Sequence, residues 1–276
     1  MIDANAYIGE WPFRRLNHAA PDALLRKMDA LGIEKAVVSR LENVFYKDVM
    51  VGNRELYQIV QQHPDRLVPA YTINSAMPCW ELDFKRCVEE YGMRNLRIHP
   101  NYHQFTLLEP HTTRVMDASL EAYAQYHMLT GNALALLECA KTHDLVVLLT
   151  LTLEDSRWHH WHVKVPPVTT TDAVEAICTF PDVRFLVCTG RYVHIADIWR
   201  RAYKNENVYF DVSRVQGPVD DIEQLCAQVG ADHLLFGTNC PIFYPESAKL
   251  SIEYAEISDQ EKELMLSANA TRLFAL

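Results

Sequence analysis

The sequence predicts an α/β protein of the (β/α)8 TIM-barrel class, and three observations carry that expectation. Strand-like and helix-like patterns alternate along the chain, eight strand patterns can be counted, and no glycine-rich phosphate turn follows any of them. Eight βα units in about 250 residues match such a barrel. A doubly wound sheet is the runner-up on pattern, but it would call for that turn.

The first strand covers residues 2–8, where Asp3, Asn5 and Tyr7 alternate with apolar neighbours and share one face. Further strands are expected over 35–40, 67–73, 95–99, 145–151, 183–188, 208–212 and 233–236. Helical patterns fill the intervals at 21–31, 52–63, 80–91, 115–142, 171–180, 194–204 and 219–229. A last helix starts near Ser258, which makes a capping box with Glu261. Two long interruptions, 101–114 and 154–170, each follow a strand, on the side where a barrel carries its active site. No Ser/Gly linker, repeat or low-complexity tract divides the chain, so 1–276 reads as a single barrel domain.

Hydrophobic residues make up 49% and charged residues 22%, ordinary for a protein with a sizeable core. The net charge of -10 argues against a nucleic-acid or anionic-membrane partner. The seven cysteines are scattered without a CxxC pair, as expected for reduced, buried thiols in a cytoplasmic protein. The first residues enter a strand without a basic segment or apolar run, so no secretory signal is expected. Apolar stretches such as 133–137 and 145–149 are too short to span a bilayer.

Several motifs resemble one family. They begin with Ile2-Asp3-Ala4-Asn5-Ala6-Tyr7-Ile8-Gly9 and residues 27–38. His63-Pro64-Asp65-Arg66, Leu96-Arg97-Ile98-His99-Pro100-Asn101-Tyr102-His103 and Phe180-Pro181-Asp182-Val183 follow. Residues 207–213, Leu235-Phe236-Gly237-Thr238-Asn239-Cys240-Pro241 and Asn269-Ala270-Thr271-Arg272-Leu273 complete the set. Taken together they are similar to the amidohydrolase-2 group, the aminocarboxymuconate-semialdehyde-decarboxylase-like amidohydrolases. The resemblance covers essentially the whole chain and implies a barrel of the metal-dependent-hydrolase type.

The same resemblance implies five metal ligands, and this chain carries other residues at all five places. Asn5 and Tyr7 stand where a His-x-His pair is implied. Thr150 and Thr189 stand at the two implied histidines, and Asn239 stands at the implied aspartate. Neither Asn nor Tyr is a good ligand for a catalytic transition metal. A bound metal lowers the pKa of water from about 15.7 to about 7, so a metal-free barrel must find roughly 12 kcal/mol elsewhere or do different chemistry. No cofactor is expected.

The barrel mouth should remain polar, lined by Asn5, Tyr7, Arg40, Tyr71, His99, Tyr102, His103, Thr150, Thr152, Thr189, Arg191, Asp211, Arg214 and Asn239. Such a lining suits a small polar ligand, or else forms a satisfied polar plug. His99 and His103 are candidate general bases, with Asp211 as a partner. Arg97, Arg191 and Arg214 are candidate carboxylate clamps, the first with an alternative as a pairing residue inside the barrel. Cys240 is a weak nucleophile candidate, and Asp3 reads as a buried structural carboxylate. Trp158-His159-His160-Trp161-His162 reads first as a lid or subunit contact, with a relocated metal site as the alternative.

Two functions follow. The first is a non-catalytic subunit, a pseudoenzyme, pairing with an active amidohydrolase paralogue in a homo- or hetero-oligomer. The alternative is a metal-independent hydrolase of lactones or amides, or a decarboxylase, acting on a small carboxylate-bearing substrate. In that case Tyr7 or Asn239 would serve as oxyanion donor.

Overall fold

In the computed structural model, residues 1–107 and 132–276 are described. The strands are β1 (Ile2–Ile8), β2 (Lys35–Arg40), β3 (Leu67–Pro69), β4 (Tyr71–Thr72), β5 (Asn95–Ile98), β6 (Val146–Thr150), β7 (Arg184–Cys188), β8 (Val208–Asp211) and β9 (Leu234–Leu235). All neighbouring pairs are parallel. Hydrogen bonds run β1-β2-β3 in one sheet and β4 through β9 in order in the other. The two sheets are one barrel. Ala4 donates to Phe236 O at 2.9 Å and Tyr7 to Cys240 O at 2.7 Å, which closes β9 onto β1.

The single strand expected over 67–73 is divided into β3 and β4. Pro69 has no N–H to give to the ladder, while Ala70 still donates to Val38 O at 2.8 Å. The eight expected strands are therefore present, one of them in two pieces, with ends shifted by a residue or two.

The helices are α1 (Pro21–Leu31), α2 (Met50–Gln62), α3 (Trp80–Glu89), α4 (Pro100–His103), α5 (Ala133–Thr142), α6 (Thr170–Thr179), α7 (Tyr192–Arg201), α8 (Asp221–Val229), α9 (Pro245–Glu253), α10 (Asp259–Glu263) and α11 (Asn269–Phe274). Helix α1 stops at Gly32, whose φ of 73° lies in the left-handed region that glycine adopts without a Cβ penalty. The capping box at Ser258 is formed, with both reciprocal bonds in place. The helix expected over 115–142 is seen as α5; residues 115–131 of that expectation lie outside the described residues, as does the part of segment 101–114 beyond 107. Helices α4 and α9 were not anticipated, although each begins with Pro at its first turn.

Two layers of core result. The larger packs strand side chains such as Ile8, Val38, Ile98, Val147, Leu149, Val187 and Phe210 against the surrounding helices. A second cluster unites Ile2, Val37, Val146, Leu148, Leu186, Tyr209 and Leu235 with Leu273 and Phe274 of α11. Asn269 anchors α11 by donating to Ala231 O and Leu234 O, both at 2.8 Å. Among the described residues no helix is long and apolar enough to cross a membrane.

Candidate functional site

The period-2 alternation of the strands brings one polar layer together above the apolar cluster. Asn5 and Tyr7 of β1, Ser39 of β2, Arg97 of β5, Thr150 of β6 and Asp211 of β8 are all buried, and so is Asp3, which a register shift between Asp3 and Ala6 takes out of that alternation, setting Asp3 beside Ala36 and Tyr7 beside Ser39. Arg97 lies at the centre. Its Nε donates to Ser39 Oγ at 2.7 Å, and its Nη1 donates to both Asn5 Oδ1 and Tyr7 Oη at 2.7 Å. The guanidinium carbon sits 4.4 Å above the Tyr7 ring centroid, a cation–π arrangement. Because Tyr7 Oη accepts from Arg97, its own proton is left for Thr150 Oγ1, 3.4 Å away.

Asn5 joins the cation to a carboxylate. While its Oδ1 accepts from Arg97, its Nδ2 donates to Asp211 Oδ2 in a short contact. Asp211 also accepts from Thr189 N at 3.0 Å and Ser213 Oγ at 2.9 Å. Gly237 makes this approach possible: a Cβ there would come within 2.9 Å of Asp211 Cβ and 3.2 Å of Asn5 Cβ. Deeper still, Asp3 accepts from Thr238 Oγ1 at 2.5 Å, and from Thr238 N and Asn5 N at 3.0 Å. Burial raises both carboxyls, and Asp3 is pushed up to about 7. Asp3 is the buried structural carboxylate that its position in β1 suggests.

The two histidines differ in what holds them. His103 lies 2.9 Å through Nε2 from Asn43 O. A carbonyl only accepts, so Nε2 carries the proton and Nδ1 is a bare lone pair. Burial takes its pKa down to about 4. His99 is fully buried, and neither ring nitrogen has a hydrogen-bond partner. Its ring stands 6.1 Å from Tyr7 and 5.8 Å from His103, centroid to centroid. Burial first, then the neighbouring His103 and Arg97, hold it well below the usual histidine range. Both imidazoles are therefore neutral at pH 7.

The expected pairing of a histidine with Asp211 is not made. The Asp211 oxygens are taken by Asn5, Thr189 and Ser213, which leaves the imidazoles without that partner. Of the three arginine clamps, Arg97 alone reaches the centre. Arg214 is tied to Asp155 at 3.4 Å, and Arg191 is exposed just before α7. Arg40 pairs with Glu42 and Glu55 at 2.8 and 2.9 Å. Asn239 sits beside β1, its N donating to Asn5 O at 2.7 Å and its Nδ2 to Leu153 O at 2.9 Å, while its Oδ1 has no partner. Thr189 turns its hydroxyl to Cys188 O at 2.6 Å and also to Thr152 O. Burial pushes the Cys240 thiol up to about 12, which disfavours the thiolate that a nucleophile needs.

Aromatic rings close over this layer. Trp11 lies 5.1 Å from Phe45, Phe45 lies 5.5 Å from Tyr102, and Phe13 stacks on His160 at 5.0 Å. Arg14 and the buried Glu154 form an ion pair beside them. Trp158 and Trp161 point outward, 70% and 72% exposed. Among the described residues no three His, Cys, Asp or Glu side chains converge as an ion site, at 159–162 or elsewhere.

The donor chemistry at the barrel centre does not suit a transition metal. Amide, phenol and hydroxyl oxygens are poor ligands beside imidazole or thiolate. The best placed of them, on Asn5 and Tyr7, are already committed to a guanidinium.

Solved structures of similar architecture cover this chain nearly end to end. A dihydroxybenzoic acid decarboxylase from Polaromonas sp. JS666, with bound manganese and 2-nitroresorcinol, superposes with a TM-score of 0.71 at 16% identity, covering 100% of this chain and 96% of its own. The 2,6-dihydroxybenzoate decarboxylase from Rhizobium gives 0.68 at 15% identity, covering 99% and 98%. The 5-carboxyvanillate decarboxylase of Sphingomonas paucimobilis gives 0.66 at 14%, covering 100% and 98%. Likeness at such identities shows the shared TIM-barrel fold. A comparison with curated protein sequences returned no match. The amidohydrolase family model matches residues 7–276, and the chain belongs to that family.

Proposed function

We propose that this barrel is a decarboxylase acting, without a catalytic metal, on a small carboxylate-bearing substrate at the mouth around Arg97. One observation carries the reading. Buried polar atoms without partners gather there: both nitrogens of His99, Nδ1 of His103, Nη2 of Arg97 and Oδ1 of Asn239. A satisfied plug would leave no such set, because unpaired buried polar groups cost about 1–3 kcal/mol each. The ring of Trp11, Phe45 and Tyr102 suits a flat apolar body. Three solved relatives being decarboxylases of aromatic acids supports the same substrate class.

In this reading the substrate loses CO2, and the electron pair left on carbon spreads toward an oxygen facing Arg97. Fixed donors in a dry site stabilise such charge best. Carbon gains one proton in place of the CO2 it loses: the bare Nδ1 of His103 takes that proton up from solvent and hands it to His99, which delivers it to carbon as imidazolium, so that both rings return to neutral. The test is CO2 release from a panel of aromatic and 2-oxo acids by chelator-treated protein. Turnover is expected without added metal and is expected to fall at least a hundredfold in His99→Ala. Silence across the panel, or a requirement for manganese or zinc, overturns the reading.

A separate observation supports a second reading. The exposed Trp158 and Trp161 make a contact surface of the kind that interfaces use. The chain would then be a non-catalytic subunit of an active paralogue, inert alone and copurifying with that enzyme.

A further inference from the structure

We propose that Arg97 is the cation of this site, standing where the family resemblance implies metal, and that its Nη2 edge receives the carboxylate of a small acid with His99 as second donor. This rests on the reading that the mouth takes such an acid, and it names the group that binds it.

The donor count carries the argument. A guanidinium has five N–H groups and no acceptor. Three are engaged: one on Nε with Ser39, and two on Nη1 with Asn5 and Tyr7. Both N–H groups of Nη2 are left over on a side chain with no solvent exposure. The Cys188 thiol lies against the guanidinium but is a weak acceptor, and burial keeps it protonated.

Charge points the same way. The three oxygens that hold Arg97 are neutral, and the nearest carboxylate in the chain of contacts, Asp211, reaches it only through the Asn5 amide. A buried cation without a touching anion is costly unless a partner arrives. A carboxylate supplies that partner, one oxygen on Nη2 and the other free for a neighbouring donor. His99 is in the same cluster, is buried, and has a nitrogen available in either tautomer. The ring of Tyr7 fixes the guanidinium plane from one side, so the free edge has a single direction.

The position also explains Asn5 and Tyr7. Two imidazoles there would each accept only through the one nitrogen left bare in the neutral ring, and would stop accepting once protonated. An amide and a phenol accept from a permanent cation at any pH near neutrality. The residues at two of the implied ligand positions, Asn5 and Tyr7, are then matched to an arginine that supplies the positive charge.

The experiment is calorimetric titration of chelator-treated, full-length protein with benzoate and with its neutral isostere benzamide. Benzoate is expected to bind one to one, and benzamide at least tenfold more weakly. Arg97→Met is expected to lose benzoate binding a hundredfold, Arg97→Lys about tenfold, and His99→Ala about tenfold. Equal binding by wild type and Arg97→Met, no benzoate binding by wild type, or binding only after added zinc overturns the proposal. Should Arg97→Met fail to fold, wild type labelled with 15N-arginine decides: saturating benzoate must shift one buried guanidinium signal, and an unmoved spectrum rejects the assignment. Turnover that survives in Arg97→Met would sink this role while the decarboxylase reading stood. Benzoate binding without turnover would do the reverse.

Discussion

Two layers of the barrel interior are built by the same strands on the same two-residue period, yet they solve opposite problems. The lower layer, with Val146, Leu148, Leu186, Tyr209 and Leu235 packed with Phe274, is an apolar cluster. Directly above it, Asn5, Tyr7, Arg97, Thr150 and Asp211 bury charge and hydrogen-bonding groups, with several atoms around them unpartnered. The lower layer stabilises the fold. The upper layer costs stability and holds the groups that a ligand would satisfy, as sites that break the local rules usually do.

Mutations should separate the layers. Leu148→Ala in the lower layer should cost the most, about 2–5 kcal/mol by urea unfolding, because the site is fully buried and a cavity remains. A cost below 1 kcal/mol would mean that this layer is loosely packed. Gly237→Ala comes next, at about 1–3 kcal/mol, because the added methyl presses on Asp211 and Asn5 in the upper layer. If it were neutral, the crowding of those side chains would be relieved by movement, and the polar layer would be softer than described.

The third contrast is with pH. Asp3 is pushed up to about 7 from an ordinary carboxyl value, mainly by burial. The folded state therefore binds more protons than the unfolded chain between about pH 4 and 7, so this group's contribution is full below pH 4 and is lost as pH rises through 7. Asp3→Asn, which imitates the protonated form, should gain on wild type by roughly 1–2 kcal/mol as pH goes from 5 to 8. His103 works in the other direction, its lowered pKa removing stability as pH falls from about 6.5 to 4. A flat difference between Asp3→Asn and wild type would show that Asp3 titrates normally.

His99→Leu should have the smallest effect on stability, within about 1 kcal/mol and with a gain allowed, because it removes two unpartnered nitrogens from the interior. A loss above 2 kcal/mol in the same unfolding measurement would assign His99 to the scaffold and erase the contrast between the layers.

Much of this was legible in the chain. Alternation in residues 2–8 placed Asp3, Asn5 and Tyr7 on one face; all three are buried, but a register shift between Asp3 and Ala6 sets Asp3 beside Ala36 and Tyr7 beside Ser39, on opposite faces of β2. Ser258 and Glu261 announced their capping box. Arg97 was legible in part: a charged residue flanked by Leu96 and Ile98 in a parallel strand must find partners, but its sequence neighbours do not say which. Those partners come from residues 58 and 92 positions away, Ser39 and Asn5. The mismatch between His99 or His103 and Asp211 arose the same way, because Asp211 was claimed by Asn5, 206 positions distant, and by Thr189 and Ser213.

Local periodicity, caps and turn residues determined the eight βα units and the polar character of the mouth, since these depend on neighbours a few positions apart. Only the tertiary structure decided that Arg97 stands at the centre, that His103 exposes Nδ1, and that His99 has no partner. Closing the barrel is what brings β1, β2, β5 and β8 within hydrogen-bonding distance, and which donor meets which acceptor there is settled by distances that no spacing along the chain encodes.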